Sequence, residues 1–154
     1  MINEQEALRT WLDLLSKTNA LKKVVDNALR AEHGVSISRF DVLAALHRAG
    51  EDGLRAGALT QRLKVTDGNT TQVTARLIED GFVKRRKDPK DGRVAIYVIT
   101  KKGARLFNDM ANTNKMSVVD AFGALSDPQM RSMRNLLQKI DVSRVSSMYE
   151  KDVA

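Results

Sequence analysis

The sequence predicts a mainly α-helical protein with a small antiparallel β wing. Residues 4–33 repeat apolar side chains every three or four positions without an internal glycine or proline, which is typical of one long helix. Residues 82–87 and 94–99 are predicted strands that flank a polar turn containing Pro89 and Gly92, and four of the six residues in 94–99 are β-branched. The chain has 154 residues, of which 42% are hydrophobic and 29% charged, so it can bury the core of a single domain, residues 1–154.

The remaining elements follow from caps, breakers and periodicity. Serines precede two helices, glycines (Gly34, Gly50 and Gly81) end three helices, and Ser126 with Gln129 forms the pattern of a capping box. In chain order, the predicted elements are a helix from Ser36 or Ser38 to Gly50, a turn at 51–53, a short helix at 56–63, a helix at 67–80, strands at 82–87 and 94–99, a helix at 101–124, and a last helix whose apolar face carries Met130, Met133, Leu137, Ile140 and Met148.

The composition excludes several classes of function. Without cysteine the chain has no disulfide, thiolate metal site or thiol redox switch, and its two histidines are too few for a histidine-rich metal cluster. No nucleophile–base pair, paired carboxylates or phosphate-binding glycine loop is recognisable, so we predict neither an enzyme nor a cofactor. No apolar run approaches the ~18 residues of a membrane span, and the acidic N-terminus does not resemble a secretory signal. We therefore expect a cytoplasmic protein.

The positive charge is concentrated in the middle of the chain. The net charge is +7, yet residues 55–105 hold 13 basic and five acidic side chains, a local net charge of +8. The segments on either side are close to neutral. A basic block between neutral helices is typical of a surface that binds a polyanion.

The order short helix, tight connection, polar helix and basic hairpin predicts a winged helix-turn-helix. The major groove of duplex DNA admits one α-helix, whose first turn reaches the base edges. In the helix at 67–80, Val73, Leu77 and Ile78 form the core side, and small hydroxyl and amide groups occupy the opposite side and the first turn. We predict DNA contacts from Thr66, Asn69, Thr71 and Gln72, with Arg76 placed for a phosphate.

The hairpin supplies the second predicted contact. An arginine at the tip of a β-turn can enter the narrow minor groove, where the negative potential is concentrated. Arg93 has this position, and Asp91 can hold it by a charge-assisted bond. Arg86 and Lys90 complete the predicted wing contacts. A protein–protein adaptor whose basic wing grips an acidic partner is the alternative hypothesis.

These motifs resemble those of the MarR family of bacterial winged-helix transcription factors. The resemblance extends over nearly the whole chain. It depends on residues 54–63, on the helix end Arg76-Leu77-Ile78-Glu79-Asp80-Gly81-Phe82-Val83, on the wing Asp88-Pro89-Lys90-Asp91-Gly92-Arg93, and on Ile99-Thr100 followed by Lys-Lys-Gly. The chain departs from the family at Thr70 and Thr74, where apolar residues usually face the core.

The resemblance implies a homodimer bound to a pseudo-palindromic double-stranded operator. Residues 36–100 would form the DNA-binding lobe, and residues 1–35 and 101–154 would form interleaved dimerisation helices, which agrees with the large apolar faces of the first, fifth and last helices.

Family members commonly lose DNA affinity when a small molecule binds between these parts. Residues 38–43 and 65–71 resemble the branch that controls aromatic-acid catabolism, so a repressor released by a small aromatic acid or its acyl-CoA thioester is expected. We predict effector contacts from Trp11, Arg39, Phe40 and His47; packing for Trp11 and an ion pair with Asp41 or a neighbour for Arg39 are the alternatives.

Overall fold

The computed structural model describes residues 1–63, 70–143 and 145. It confirms a mainly helical chain with one small antiparallel sheet. The elements are α1 (Glu4–His33), α2 (Ile37–Ala49), a 3-10 turn (Gly50–Asp52), β1 (Leu54–Arg55), α3 (Ala56–Arg62), α4 (Thr70–Glu79), β2 (Val83–Lys87), β3 (Ala95–Ile99), α5 (Lys101–Ala121) and α6 (Asp127–Gln138).

The helix ends follow the predicted caps. Asn3 is an N-cap that the sequence analysis did not name, and its side chain accepts hydrogen bonds from the second and third amides of α1. Gly34, the predicted stop, ends the helix in the left-handed conformation with φ of 66°. Of the two serines considered for α2, Ser36 is the N-cap. The capping box of Ser126 and Gln129 is also present. The ends at Gly34, Ser36 and Ser126 depend on neighbours along the chain, which is why the sequence predicted them.

The core lies where α2 meets the other helices and the sheet. Leu43 and Leu46 of α2, Leu29 of α1, Leu59 of α3 and Leu77 of α4 are completely inaccessible to solvent. Met110 of α5 and Val83 of β2 belong to the same cluster. The helix-turn-helix is thereby packed against both the long first helix and the first half of the fifth.

The sheet has a third strand that the sequence did not predict. β1 pairs with β3, which also pairs with β2, so the wing hairpin is anchored to the segment before α3. A strand of two residues is too short to show the alternation of apolar and polar side chains by which strands are recognised in a sequence. It forms only because β3 lies beside it. Gly53, with φ of 68°, makes this approach possible, since a Cβ there would lie 2.3 Å from the carbonyl oxygen of Tyr97.

The last two helices are shorter than predicted. α5 ends at Ala121 instead of residue 124. α6 ends at Gln138, so Ile140 lies beyond it, and Met148 is outside the described residues. The apolar periodicity of the sequence continues past the ends of both helices. It therefore indicates which face of a helix is apolar more reliably than it indicates where the helix ends.

Two compact units can be distinguished, Met1–Val119 and Asp120–Ala154. The predicted lobe of residues 36–100 lies within the first unit. Among the described residues, no helix combines the length and the apolar character that a bilayer span requires.

Candidate nucleic-acid interface

One face of α4 is exposed and carries the predicted contact residues. Thr71, Gln72 and Arg76 are exposed, whereas Thr74 and Leu77 are buried. The Thr74 hydroxyl donates to the carbonyl oxygen of Thr70 at 2.7 Å, so a threonine occupies the core side without an unsatisfied polar group. Although Thr74 is polar where the family usually has an apolar residue, this side of α4 still faces the core. Thr66 and Asn69 lie outside the described residues.

The tip of the wing presents an arginine held by its neighbour. The Asp91 carboxylate accepts from the backbone N–H of Arg93 at 3.0 Å and from its Nε at 3.2 Å. The side chain of Arg93 is nevertheless 92% exposed. The guanidinium group and the backbone N–H of Arg93 hold the pKa of the Asp91 carboxyl below its ordinary value. The predicted Asp91–Arg93 bond is thus observed, and it orients a cation that faces solvent.

The other two predicted wing residues have different surroundings. Lys90 is exposed at the tip, and its backbone N–H donates to the Asp88 carboxylate at 2.7 Å. Arg86 lies at the base, where its guanidinium donates to the carbonyl oxygens of Glu51 and Asp52 at 3.3 and 2.8 Å. Arg86 therefore links β2 to the turn after α2.

The sequence analysis missed the residue pair that anchors the wing. Asp88 begins the turn, is almost completely buried, and forms an ion pair with Arg55 of β1. The hydrogen bond from the Lys90 amide and the nearby Arg55 lower the pKa of the Asp88 carboxyl from its ordinary value of 3.8. Arg55 and Asp88 are far apart in sequence, and no local pattern connects them. The sequence did offer one sign of this role, namely an acidic side chain within a basic wing. The sequence analysis applied that argument to Asp91 and not to Asp88.

The Asp88 anchor makes the order of the wing depend on pH. Because its pKa is lower in the folded protein, the stability contributed by ionised Asp88 is complete above the ordinary value of 3.8 and is lost as pH falls through the lowered pKa. We expect hydrogen-exchange protection at the Lys90 amide, corrected for intrinsic exchange, to fall in that acid range. Asp88→Asn should reduce protection at neutral pH and remove the acid step. The exposed Asp52→Asn should retain the step, and an unchanged profile in Asp88→Asn would contradict the assignment.

The predicted effector residues are brought together only in part. The ring of Phe40 stacks on Phe107 of α5 with centroids 5.6 Å apart, and the His47 ring lies 4.5 Å from the same phenyl ring. Arg39 forms an ion pair with Asp80 at the end of α4, with N and O atoms 3.2 Å apart. An ion pair was the alternative considered for Arg39, and its partner is Asp80 and not Asp41. The effector contact of Arg39 stays a prediction. Phe107 was missed because only the packing of α5 on α2 gives it a role.

Trp11 lies apart from this group within the chain. It is 55% exposed and belongs to the first half of α1, whereas the buried residues of that helix are Val25 and Leu29. The separation of 14 positions from Trp11 to Val25 corresponds to about 21 Å along the helix axis. Trp11 is therefore not part of the core of its own chain.

The comparisons with known proteins identify the family. A sequence profile described as "MarR family" matches residues 33–94. The HTH-type transcriptional regulator YkoM of Bacillus subtilis is 30% identical over 142 residues, which cover 91% of each chain. The chain belongs to the MarR family.

Solved MarR-family structures have the same fold. Sco3205 of Streptomyces coelicolor, a MarR-family regulator solved in complex with DNA, is 23% identical with a TM-score of 0.77 and 90% of each chain covered. BpsR of Bordetella bronchiseptica, whose DNA binding is regulated by 6-hydroxynicotinic acid, is 19% identical with a TM-score of 0.71; the match covers 82% of the present chain and 89% of BpsR. The present MarR-family protein is a DNA-binding transcriptional regulator with a winged-helix fold.

Proposed function

We propose that this protein is a homodimeric repressor that binds a pseudo-palindromic duplex operator in the bacterial cytoplasm. In this proposal a small aromatic acid or its acyl-CoA thioester releases it from DNA. The observation that carries the DNA-binding geometry is the pairing of the exposed polar face of α4 with the exposed Arg93 at the wing tip. In this arrangement one subunit contacts one half-site, with α4 in the major groove and Arg93 in the minor groove.

Each predicted contact has a distinct role in this arrangement. Thr66, Asn69, Thr71 and Gln72 read or approach base edges, because their amide and hydroxyl groups can both donate and accept. Arg76 and Lys90 neutralise phosphates, and Arg93 enters the minor groove. Arg86 serves mainly by supporting the base of the wing, since its guanidinium donates to two backbone carbonyls.

The dimer is proposed from apolar surface that the subunit leaves exposed. On the first half of α1, Leu8, Trp11 and Leu12 are 63%, 55% and 60% exposed. Within the second unit, Leu136 and Leu137 of α6 are also largely exposed. Contiguous apolar stripes of this kind are expected where another subunit packs. Two copies would supply one recognition helix and one wing for each half-site of a palindromic operator.

The test is binding to fluorescent operator duplex as a function of salt. Each neutralised phosphate contributes about −0.9 to the slope of log affinity against log salt, so several contacts give a steep decrease. A steep slope with a clear preference over random duplex is expected. A flat slope, or no duplex binding together with capture of an acidic protein, would favour the adaptor hypothesis.

Arg93→Ala tests the wing. Because Arg93 is exposed and bonded only to Asp91 among the described residues, its removal should leave the fold intact and weaken operator binding about 10-fold or more. The control is Lys17→Ala, which removes one positive charge from an exposed position on α1. Equal affinities for the two variants in fluorescence anisotropy would refute the assignment of Arg93 to the groove.

A further inference from the structure

Arg39 joins the first turn of α2 to the end of α4. Its Nη1 atom lies 3.2 Å from Oδ2 of Asp80, the residue that directly follows α4. The two residues are 41 positions apart, so this is not the local pairing of neighbouring turns on one helix. Their side chains are 26% and 45% exposed. The pair therefore lies at the edge of the core, where solvent screens it less than a fully exposed pair.

The position of Arg39 is unfavourable for its own helix. The first turn of α2 has no acidic residue, and a cation there opposes the partial positive charge of a helix N-terminus. At the end of α4 the same guanidinium meets the partial negative charge of a helix C-terminus. The electrostatic environment of Arg39 is therefore favourable toward α4 and unfavourable within α2.

The backbone from which Arg39 extends is fixed to α1. The Asp26 carboxylate of α1 accepts from the backbone N–H of Ile37 at 2.8 Å, and the Ser36 hydroxyl accepts from the backbone N–H of Arg39 at 3.4 Å. These bonds tie the first turn of α2 to the long first helix. The guanidinium thus acts on α4 from a support that has little freedom to move.

The segment after α4 is also held through its backbone. Lys102 Nζ donates to the carbonyl oxygen of Asp80 at 2.8 Å, and the Thr100 hydroxyl donates to that of Gly81 at 2.7 Å. The backbone N–H of Thr100 donates to the carbonyl oxygen of Phe82 at 3.0 Å. Three consecutive carbonyls after α4 therefore accept from α5 and the residue before it. The Asp80 carboxylate accepts from α2.

These directional contacts can set an orientation that apolar packing leaves open. Leu77 is completely buried and holds α4 against the core, but the hydrophobic effect has no preferred direction. Hydrogen bonds weaken steeply when their geometry is lost, so anchors from two helices restrict the angle of α4. Gln72 lies eight residues before Asp80, about 12 Å along the helix axis, so a tilt of about 5° would move it by about 1 Å. A displacement of that size is enough to break a hydrogen bond to a base.

We propose that Arg39 is a positioning residue for DNA recognition, which acts through the Asp80 carboxylate to set the angle at which α4 presents Thr71 and Gln72. This role rests on the proposed function, in which α4 contacts the operator. It requires no contact between Arg39 and DNA and no bound effector. Because the ion pair acts on orientation, its loss should weaken specific binding and leave the attraction of the basic lobe for any duplex unchanged.

The experiment compares Arg39→Met with Arg48→Met on the same helix. Methionine keeps an unbranched stem and removes the guanidinium. Arg48 is exposed, and no hydrogen bond or ion pair involves it in the part of the chain that the structure describes. We expect Arg39→Met to weaken binding to fluorescent operator duplex by at least about fivefold and to bind random duplex normally. Arg48→Met should bind both duplexes as the wild type does.

A double-mutant cycle tests whether Arg39 acts through Asp80. Asp80→Ala should cause the same loss of operator affinity as Arg39→Met, and the double variant should lose no more than either single variant. Arg39→Lys should retain most of the affinity, because an ammonium group can also pair with the carboxylate. Additive losses, or wild-type operator affinity in Arg39→Met, would overturn the proposal. Equal losses on operator and random duplex, with a salt slope smaller by about 0.9, would make Arg39 a phosphate contact and also overturn it.

A measurement without DNA separates the positioning role from the proposed function. In the ¹⁵N-labelled full-length protein, Arg39→Met and Asp80→Ala should shift the backbone amides of Thr71 and Gln72 alike, and Arg48→Met should leave them unchanged. If the wild type bound no operator, the repressor function would be refuted and the amide shifts would decide the positioning role. Unchanged shifts would overturn it in either case.

Urea unfolding of each variant checks that the fold persists. A partly exposed ion pair contributes little to stability, so we expect midpoints close to that of the wild type. Should Arg39→Met fail to fold, Asp80→Ala decides the same question, because it removes the carboxylate and leaves the Arg39 side chain in place. Normal operator affinity and unshifted α4 amides in Asp80→Ala would then refute the proposal.

Discussion

Replacement of Gly103 by alanine is expected to destabilise the protein by about 3 kcal/mol or more. A Cβ at this position would lie 2.0 Å from the carbonyl oxygen of Phe82 and 2.9 Å from Cγ1 of Ile99. The first of these atoms belongs to backbone, which cannot rotate away as a flexible side chain can. Alanine normally stabilises a helix by about 1 kcal/mol over glycine, so the clash decides the sign of the effect.

The chain contains a matched control in α3. Gly57 is also helical, and a Cβ there would meet no atom within 4 Å. Gly57→Ala should therefore raise the free energy of unfolding by about 0.4–1 kcal/mol. The measurement is urea unfolding followed by circular dichroism at one protein concentration, because dimer stability depends on concentration. Equal midpoints for Gly103→Ala and the wild type would show that α5 does not approach Phe82 so closely.

The substitution Gly103→Ala should also weaken DNA binding. The same first turn of α5 holds the end of α4 through Thr100 and Lys102. At a temperature where the variant remains folded, we expect weaker operator affinity than for Gly57→Ala. The difference would separate a local displacement of the recognition helix from global unfolding.

Leu12→Glu is expected to separate the proposed dimer into monomers. Leu12 is 60% exposed in the subunit, so glutamate costs little there, but a carboxylate buried in an apolar interface is strongly disfavoured. We expect the dissociation constant of the dimer to rise by at least about 100-fold, measured by sedimentation velocity. Operator affinity should fall in parallel, because a monomer binds a single half-site and loses the gain from bivalency.

Lys17→Glu is the control for the position of the interface. Lys17 is exposed and lies five residues after Leu12, which places it about 140° around the helix from the apolar stripe. This variant should remain dimeric. If Leu12→Glu also remained dimeric, the α1 stripe would not be an interface. If it lost its helical circular dichroism, folding of the subunit would depend on dimerisation, which the same stripe would explain.

The local part of the candidate site could be predicted from the sequence. The bond between Asp91 and Arg93 joins residues two positions apart, and a short turn brings them together with little dependence on the rest of the chain. The same holds for the exposed face of α4, where the spacing of Leu77 from Val73 already separates a core side from a solvent side. The Thr74 contact with Thr70 is also local, although the sequence analysis treated these threonines only as a departure from the family pattern.

The contacts between distant residues could not be predicted in this way. Arg55 with Asp88, Phe107 with His47, and Gly103 with the carbonyl of Phe82 each join segments whose meeting depends on the packing of the whole lobe.

By itself, the sequence determined the helices, their caps, the basic wing and the family, since all of these depend on local periodicity, turn chemistry or residue order. The tertiary structure alone shows that the wing has a third strand and that Arg86 and Asp88 anchor its base. The physical reason is that hydrophobic burial brings these segments together without specifying, in any short stretch of chain, which polar groups will meet.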